Sequence, residues 1–272
     1  MLLVDNLESK IYSSKRGERA LRVLAKSDIG KAREMNQDSY YTSDPENEIK
    51  LFILADGMGG YKGGEIASSL AIESTRKYIQ NNFKDIVKEK DEILKLVNSA
   101  IEYANMVVYE KAQENIELRD MGTTLDVCLI YNNNIFIGHV GDSRVYRIRK
   151  NIIRKITNDH SYVEKLVKEG TISKEQAYNH PKKNMLIKAI GCRSLVEPDV
   201  TYKGFLKDDI ILMCSDGLTN MLKDDEIYSV LLNNPENPVN ALIDKANKLG
   251  GYDNITAIII DNIDFDEKTK ER

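Results

Sequence analysis

The sequence predicts an α+β fold in which antiparallel sheets pack together and are covered by helices. The first observation is a series of short apolar segments bounded by turn residues, a pattern typical of strands with buried faces. The second is two pairs of longer segments whose apolar residues recur at helical spacing. The third is that 272 residues contain no internal repeat or low-complexity linker and only five prolines, which favours one compact domain.

The first part of the chain is predicted to hold three strands and one helix pair. Residues 1–20 are polar and aperiodic, so we expect a flexible N-terminal extension there. Short apolar segments predict strands at 21–28, 39–43 and 51–55. One helix is predicted over 65–80, from the spacing of Ala67, Leu70, Ala71, Ser74 and Tyr78. A second is predicted over about 90–115, with one face formed by Ile93, Val97, Ile101, Ala104 and Val108.

The remainder begins with hairpins and ends with a second helix pair. Turns at Asn132–Asn134 and Lys150–Asn151 connect strands predicted at 124–131, 135–140, 144–149 and 152–156. A short, charged, mostly helical region covers about 161–180. Later strands are predicted at 186–190, 199–203, 210–214 and 255–260, and helices at 223–232 and 238–249. Consecutive hairpins with helix pairs inserted between them are the pattern of an α+β protein.

Composition excludes several classes of function. A net charge of −4 and a pI near 5.6 give no electrostatic basis for nucleic-acid binding. Asp5 interrupts the N-terminal apolar residues, so no signal peptide is predicted, and no segment has the ~18 apolar residues of a membrane span. Three cysteines without a CxxC and only three histidines argue against a zinc site and fit a reducing compartment. We therefore expect a cytoplasmic protein.

Four aspartates stand where apolar segments break into tight turns: Asp56, Asp142, Asp216 and Asp253. Any one of them alone is explained as a turn residue. An unpaired carboxylate at the end of a buried strand is costly, however, and these four come from distant segments. A bound cation is the more economical explanation of the whole set. Oxygen ligands select Mg²⁺ or Mn²⁺ over zinc or copper.

Five glycines follow Asp56 closely, between a predicted strand and a helix: Gly57, Gly59, Gly60, Gly63 and Gly64. A nucleotide-binding GxGxxG is excluded because Lys62 stands where the last glycine is needed, and no GxxxxGK[ST] occurs. We expect these glycines to let the backbone pass close to something bound at Asp56, with the Gly57 carbonyl as a further ligand.

Arg33 and Asp38 lie just before a predicted strand that would bring them towards the same edge. A planar guanidinium suits two-point recognition of a phosphoryl group. Taken alone, Arg33 would be interpreted as an ordinary surface arginine. Its proximity to the predicted cation site is what makes it a candidate phosphate-binding residue.

Seven short motifs extend this pattern over residues 21–262. They are Arg33-x-x-Asn36-Gln37-Asp38, Ala55-Asp56-Gly57-Met58-Gly59-Gly60, Met121-Gly122-Thr123-Thr124, Val140-Gly141-Asp142-Ser143-Arg144, Asp159-His160-Ser161, Ser215-Asp216-Gly217-Leu218 and Asp253-Asn254-Ile255-Thr256. Their order resembles that of the metal-dependent protein phosphatases of type 2C (PPM), in the bacterial single-domain form. The resemblance implies a four-layer α-β-β-α sandwich, with two antiparallel sheets flanked by helix pairs and a metal cleft at one end.

The resemblance also implies domain limits. Residues 21–262 would form the phosphatase domain, with a flap at about 161–190 beside the cleft and a polar C-terminal tail at 263–272. Two interpretations of the charged flap stay open. It is either a solvated cover or a lid whose lysines meet a phosphopeptide.

The resemblance assigns metal ligands by position. Asp56 would bridge two Mn²⁺ or Mg²⁺ ions. Asp216 and Asp253 would hold one of them, and the Gly57 carbonyl the other. Asp142 with Asp216 would form a weaker third site. A hydroxide bridging the two cations would then attack the phosphate monoester.

The resemblance assigns the remaining catalytic roles only in part. Arg33 would clamp the substrate phosphate and Asp38 would orient metal-bound water. Met58 and Tyr61 replace histidines that many relatives carry at these positions, so the general acid is either metal-bound water or, as a second choice, His160. His139 and His180 are expected to be structural. A cysteine mechanism has no support, because no cysteine is followed by arginine six residues on.

The leading hypothesis is a metal-dependent phosphoserine/phosphothreonine protein phosphatase, acting as a monomer on phosphorylated proteins that include a cognate Ser/Thr kinase. A non-catalytic regulatory module is the first alternative, yet no metal aspartate is missing. A phosphatase of an anti-sigma-factor antagonist is the second. That group usually lacks the Arg33 motif and the Gly-Met-Gly-Gly turn, both of which are present here.

Overall fold

A computed structural model describes residues 8–13, 19–44, 47, 49–114 and 116–264. Its strands are β1 Glu8–Ser13, β2 Arg19–Asp28, β3 Asp38–Thr42, β4 Lys50–Met58, β5 Gly122–Thr123, β6 Leu125–Tyr131, β7 Asn134–Val140, β8 Arg144–Arg149, β9 Ile152–Lys155, β10 Asp199–Gly204, β11 Ile210–Cys214 and β12 Ile255–Asp264. Its helices are α1 Gly60–Asn82, α2 Lys90–Glu114, α3 Tyr162–Lys168, α4 Lys174–Tyr178, α5 Asp216–Thr219, α6 Asp224–Asn233 and α7 Pro238–Lys248.

The strands form two antiparallel sheets. The first has the order β1-β2-β12-β11-β8-β9. The second has the order β10-β7-β6-β4-β3, with β5 pairing beside the end of β4. Hairpin turns at Asn132–Asn133 and Lys150–Asn151 have positive φ angles, as the tight turns of two-residue hairpins require.

Three apolar layers hold the sheets and helices together. One lies between the second sheet and the pair α1–α2, and another between the first sheet and the pair α6–α7. The third joins the two sheets through side chains such as Phe52, Val145 and Ile258. The structure therefore confirms the expected α-β-β-α sandwich. Among the described residues, the structure contains no helix with the length and apolar character of a membrane span.

The N-terminal segment differs from its sequence expectation. Residues 8–13, within the expected flexible extension, form β1 and pair with β2. Lys10 Nζ also donates to Thr42 Oγ1 at 2.8 Å, which ties β1 to the second sheet. An edge strand held by backbone hydrogen bonds needs no apolar alternation, so periodicity did not reveal it. Residues 1–7 and 14–18 lie outside the described residues.

The prediction of a strand at 186–190 is wrong. This segment makes only two isolated bridges, Leu186 to Ser161 and Ile190 to Thr123. Because each end meets a different partner, no continuous ladder can form. At the C-terminus, β12 continues to Asp264, beyond the predicted end of the strand. The rest of the expected tail, 265–272, lies outside the described residues.

Candidate active site

A cleft of about 450 Å³ opens where the ends of several strands meet. Six of the seven predicted site residues line it: Arg33, Asp56, Gly57, Asp142, Asp216 and Asp253. The seventh, Asp38, is buried beside the cleft and is the cross-strand partner of Asp56. The sandwich thus brings together side chains that are far apart in sequence.

Chain topology explains this convergence. Asp56 lies near the end of β4, and Asp142 lies in the turn between β7 and β8. Asp216 begins α5 immediately after β11, while Asp253 precedes β12, the strand that pairs with β11. A Cβ on Gly217 would stand 2.0 Å from the Asn254 carbonyl oxygen, so only glycine lets α5 approach the loop that carries Asp253.

The backbone around Asp56 is held rigidly. Its N–H donates to Thr124 Oγ1 at 2.9 Å, and its carbonyl accepts from Thr123 Oγ1 at 2.8 Å and from the Thr124 N–H at 2.9 Å. A Cβ on Gly57 would lie 2.2 Å from the Gly64 carbonyl oxygen. This close approach fixes the start of α1 against the end of β4.

The site concentrates negative charge that its neighbours do not neutralise. Burial, followed by the charges of Asp38, Asp216, Asp142 and Asp253, raises the pKa of Asp56 well above its ordinary value. Burial likewise raises the pKa of Asp38 to about 6 and that of Asp216 to about 6. Burial and the charge of Asp216 raise the pKa of Asp142 well above its ordinary value. Such a set binds protons or cations strongly.

Asp38 is oriented by two hydroxyl groups. Its Oδ2 accepts from Ser215 Oγ at 2.8 Å and from Thr256 Oγ1 at 2.7 Å. Its Oδ1 is buried and receives no donor from the described residues. On the other side of the site, Asp216 Oδ2 accepts from Asn220 Nδ2 at 2.9 Å.

Sequence reasoning assigned no role to these three partners. Ser215 and Thr256 stand within the recognised motifs, directly beside or close to an aspartate, and that adjacency was the available signal. Asn220 lies one helical turn after Asp216, a spacing that brings two side chains together on a helix.

Arg33 reaches the cleft from a loop that Asn254 holds in place. Asn254 Nδ2 donates to the carbonyls of Ile29 at 2.9 Å and Met35 at 3.0 Å, and its Oδ1 accepts from the Gln37 N–H at 2.9 Å. Arg33 Nη2 donates to Asp253 Oδ2 at 2.8 Å. The guanidinium therefore lies at the rim, next to the carboxylates.

The donor set fits a hard divalent cation. The cleft is lined by carboxylate oxygens and by the residue whose backbone carbonyl is the predicted further ligand, Gly57. Asp38 Oδ1, beside the cleft, accepts no hydrogen bond from the described residues. As they stand in the described part of the chain, no three His, Cys, Asp or Glu side chains are grouped so that they could hold a metal ion. Burial and the charges of Asp38 and Asp216 instead raise the pKa of Asp56. A bound proton relieves the same repulsion between the carboxylates that a cation would.

The histidines do not reach the cleft lining. His160 is buried, its Nδ1 accepts from the Gly141 N–H at 3.1 Å, and burial lowers its pKa to about 4. This position gives no support to His160 as the general acid. His139 is buried between Asp126 and the Asn158 carbonyl, as expected for a structural residue. His180 accepts from the Lys182 N–H on the flap at 3.0 Å.

Met58 and Tyr61 occupy the two positions at which the family resemblance leads us to expect a histidine. Met58 lines the cleft and has no proton to donate. The side chain of Tyr61 lies outside the described residues.

The flap contributes Asn184 and Leu186 to the cleft. Two of its lysines instead lie over aromatic rings, Lys182 over Tyr162 at 5.6 Å and Lys183 over Tyr178 at 5.4 Å. The flap thus meets the cleft through an amide and an apolar side chain rather than through these charges.

Comparison with known proteins identifies the family. The family model for protein phosphatase 2C matches residues 30–245. A serine/threonine phosphatase, Stp, of Listeria monocytogenes is 34% identical over 250 residues, which cover 90% of this chain and 97% of the relative. The crystal structure of the Mycobacterium tuberculosis phosphatase PstP/Ppp has a TM-score of 0.79 and 34% identity, covering 89% of this chain and 98% of the other.

A second solved structure similar to this chain contains metal ions. The catalytic domain of a PstP serine/threonine phosphatase, solved in complex with two manganese ions, has a TM-score of 0.78 and 32% identity. The match covers 90% of this chain and 99% of that one. Together, the family model, the relatives and the carboxylate cleft lead to one conclusion: the chain belongs to the protein phosphatase 2C family.

Proposed function

We propose that this protein is a metal-dependent phosphoserine/phosphothreonine protein phosphatase. The observation that carries the proposal is the cleft in which Asp56, Asp142, Asp216 and Asp253 meet beside Arg33. The names of the relatives, which are serine/threonine phosphatases, support the same activity. The two alternatives, a non-catalytic module and a phosphatase of an anti-sigma-factor antagonist, have no comparable support.

Asp56, Asp216 and Asp253, with the Gly57 carbonyl, are the groups that would hold two divalent cations. The manganese-bound relative supports Mn²⁺, and the oxygen ligands suit Mg²⁺ as well. When bound, the cations supply Lewis acidity that makes hydroxide available near neutral pH and neutralises charge on the phosphoryl oxygens. Asp142 with Asp216 would hold a third cation more weakly.

The protein's own side chains perform the remaining steps. Arg33 binds two phosphoryl oxygens through its planar donors and holds the phosphorus in line for attack. Asp38 accepts a proton from the attacking water at Oδ1, the oxygen that receives no other donor. No histidine among the described residues lines the cleft, so we propose that water protonates the leaving serine or threonine oxygen.

The substrate class is phosphorylated proteins. We include a cognate Ser/Thr kinase among them, because an activating phosphate on such a kinase is an ester of this class. We further propose a cytoplasmic monomer. The buried free thiols of Cys128 and Cys214 fit a reducing compartment.

The decisive experiment is hydrolysis of p-nitrophenyl phosphate and of a phosphothreonine peptide with MnCl₂. We expect turnover with Mn²⁺ and none with EDTA. Asp56→Asn should lower kcat by at least about a hundredfold, because it weakens the charge stabilisation of the transition state. Asp244→Asn is the matched control, since Asp244 is exposed on α7 and should leave kcat unchanged. No phosphate release with metal, or full activity of Asp56→Asn, would refute the proposal.

The third cation has its own test. Asp142→Ala should lower kcat while two calorimetrically resolved Mn²⁺ sites keep their affinity, because Asp142 is proposed to ligate only the weaker third cation. Loss of either tight site in this variant would show that Asp142 belongs to the main pair instead.

A further inference from the structure

A directed chain of hydrogen bonds ends on Asp38. Thr256 Oγ1 donates its single proton to Asp38 Oδ2 at 2.7 Å. The contact of 2.7 Å between Ser27 Oγ and Thr256 Oγ1 must therefore be donated by Ser27. Asn36 Nδ2 in turn donates to Ser27 Oγ at 2.8 Å, and Asn36 Oδ1 accepts from the Asp38 N–H at 3.1 Å, which closes the ring.

A second donor reaches the same oxygen. Ser215 Oγ donates to Asp38 Oδ2 at 2.8 Å and accepts from the Thr256 N–H at 2.9 Å. Ser215 and Thr256 are both fully buried. One carboxylate oxygen of Asp38 thus receives two charge-assisted hydrogen bonds, while the other receives none from the described residues.

The network crosses between the two sheets. Asp38 begins β3 in the second sheet, whereas Thr256 and Ser27 are cross-strand partners on β12 and β2 in the first. Ser215 follows β11 of that first sheet. The orientation of Asp38 therefore depends on groups fixed in the opposite layer of the sandwich.

We propose that Thr256 and Ser215 are positioning residues for the reaction, holding Asp38 so that Oδ1 faces the attacking water. The inference rests on the proposed phosphatase function. A carboxylate that is free to turn presents either oxygen, but two donors on Oδ2 fix its plane and leave Oδ1 without a donor among the described residues. Without them Asp38 remains present yet accepts the water's proton less efficiently.

Thr256→Val tests the positioning role directly, because it removes the hydroxyl that donates to Asp38 and keeps the shape of the side chain. We expect kcat with p-nitrophenyl phosphate and MnCl₂ to fall about tenfold or more, since a positioned acid–base group contributes at least that much. KM and the calorimetric affinity for Mn²⁺ should stay within about twofold of wild type, because no ligand is removed. Thr256→Ser should restore kcat, since it returns the hydroxyl.

Thr157→Val is the matched control. Thr157 is also buried, and its hydroxyl accepts from the Val145 N–H at 3.1 Å, outside the site. This variant should lose thermal stability and keep kcat. If Thr256→Val folds poorly, Ser215→Ala removes the other donor to the same oxygen and must show the same loss confined to kcat.

A double-mutant cycle separates positioning from general damage. In an Asp38→Asn background, Thr256→Val should cause no further fall in kcat. Unchanged kcat in Thr256→Val, a parallel loss of Mn²⁺ affinity, or an additional loss in the Asp38→Asn background would each overturn the inference. An inactive wild-type enzyme with Mn²⁺ would instead refute the proposed function itself.

Discussion

Arg33 is the one basic side chain among the described residues that line the cleft, where it accompanies four aspartates. It bonds to Asp253, yet 52% of its side-chain surface stays exposed. An ion pair this exposed contributes only about 0–1 kcal/mol to stability. The guanidinium is therefore free to exchange Asp253 for phosphoryl oxygens, which match its planar donors.

Arg33→Ala should consequently lower kcat/KM by about tenfold or more, because two charge-assisted contacts to the phosphoryl group are lost. Its melting temperature should stay close to that of wild type. Arg33→Lys should recover only part of the loss, since a lysine cannot contact two oxygens in the same geometry.

The control for this change is Arg154→Ala on the exposed edge strand β9. It removes the same charge from the molecule without touching the cleft. Equal losses in the two variants would mean that Arg33 acts only through net charge, which contradicts a direct contact with phosphate.

At the scale of elements, the site depends on how closely α5 approaches the loop before β12. The position that a Cβ on Gly217 would take lies 2.0 Å from the Asn254 oxygen and 3.4 Å from the Asp253 Cβ. The same helix carries Asp216 at its first residue. Two proposed ligands are thus set by one backbone contact.

Gly217→Ala should therefore move α5 away from Asp253. We expect a loss of about 1–3 kcal/mol in the free energy of unfolding, as for other overpacked positions, together with weaker Mn²⁺ binding by calorimetry. Gly204→Ala is the matched control, because a Cβ there would meet nothing within 4 Å. Tight metal binding in Gly217→Ala would show that α5 adjusts without moving its aspartate.

Periodicity predicted most elements because each buries one face. The helix pairs and the hairpins from β6 to β9 follow directly from apolar spacing and turn residues. The same reasoning failed at 186–190, where an apolar segment bridges two different partners, and it missed β1, which is polar and held by its backbone. The apolar pattern of a segment indicates that one of its faces is buried, but not whether a neighbouring strand can pair with its backbone.

For the whole molecule, the buried carboxylates make stability depend on pH. The pKa values of Asp38 and Asp216 are raised to about 6, and those of Asp56 and Asp142 are raised well above their ordinary values, mainly by burial. A carboxyl with a raised pKa binds more protons in the folded than in the unfolded state. Its contribution to stability is complete at low pH and is lost as the pH rises through about 6.

The EDTA-treated protein should therefore melt at a lower temperature at about pH 7 than at about pH 5. The buried His160 opposes this trend, because burial lowers its pKa to about 4, but it is one group against four carboxyls with raised pKa values. Asp159 does not oppose it. Burial raises its pKa, but Arg144 and Lys155 more than offset that and hold it below the ordinary value, so its contribution is lost only at lower pH.

Added MnCl₂ should remove the decline, because cations replace the protons, and Asp56→Asn should reduce it without metal. Differential scanning calorimetry over this range measures both effects. A melting temperature that rises with pH in EDTA would mean that the carboxylates do not interact as the structure indicates.

The sequence by itself determined the fold class, the family resemblance and the identity of the candidate residues. Tight turns, glycines and strand-terminal aspartates are local features, and each constrains the chain where it stands. Their order was enough to nominate Arg33, Asp38, Asp56, Gly57, Asp142, Asp216 and Asp253, because short motifs need no knowledge of distant contacts.

Only the tertiary structure decided how these residues face one another. The hydroxyls of Ser215 and Thr256 act on Asp38 across the two sheets, and Asn220 reaches Asp216 only once α5 has formed. The position of His160 away from the cleft lining was equally invisible in the sequence. Side-chain direction and the mutual repulsion of buried charges arise when the layers pack, so local patterns could point to these residues but not to their contacts.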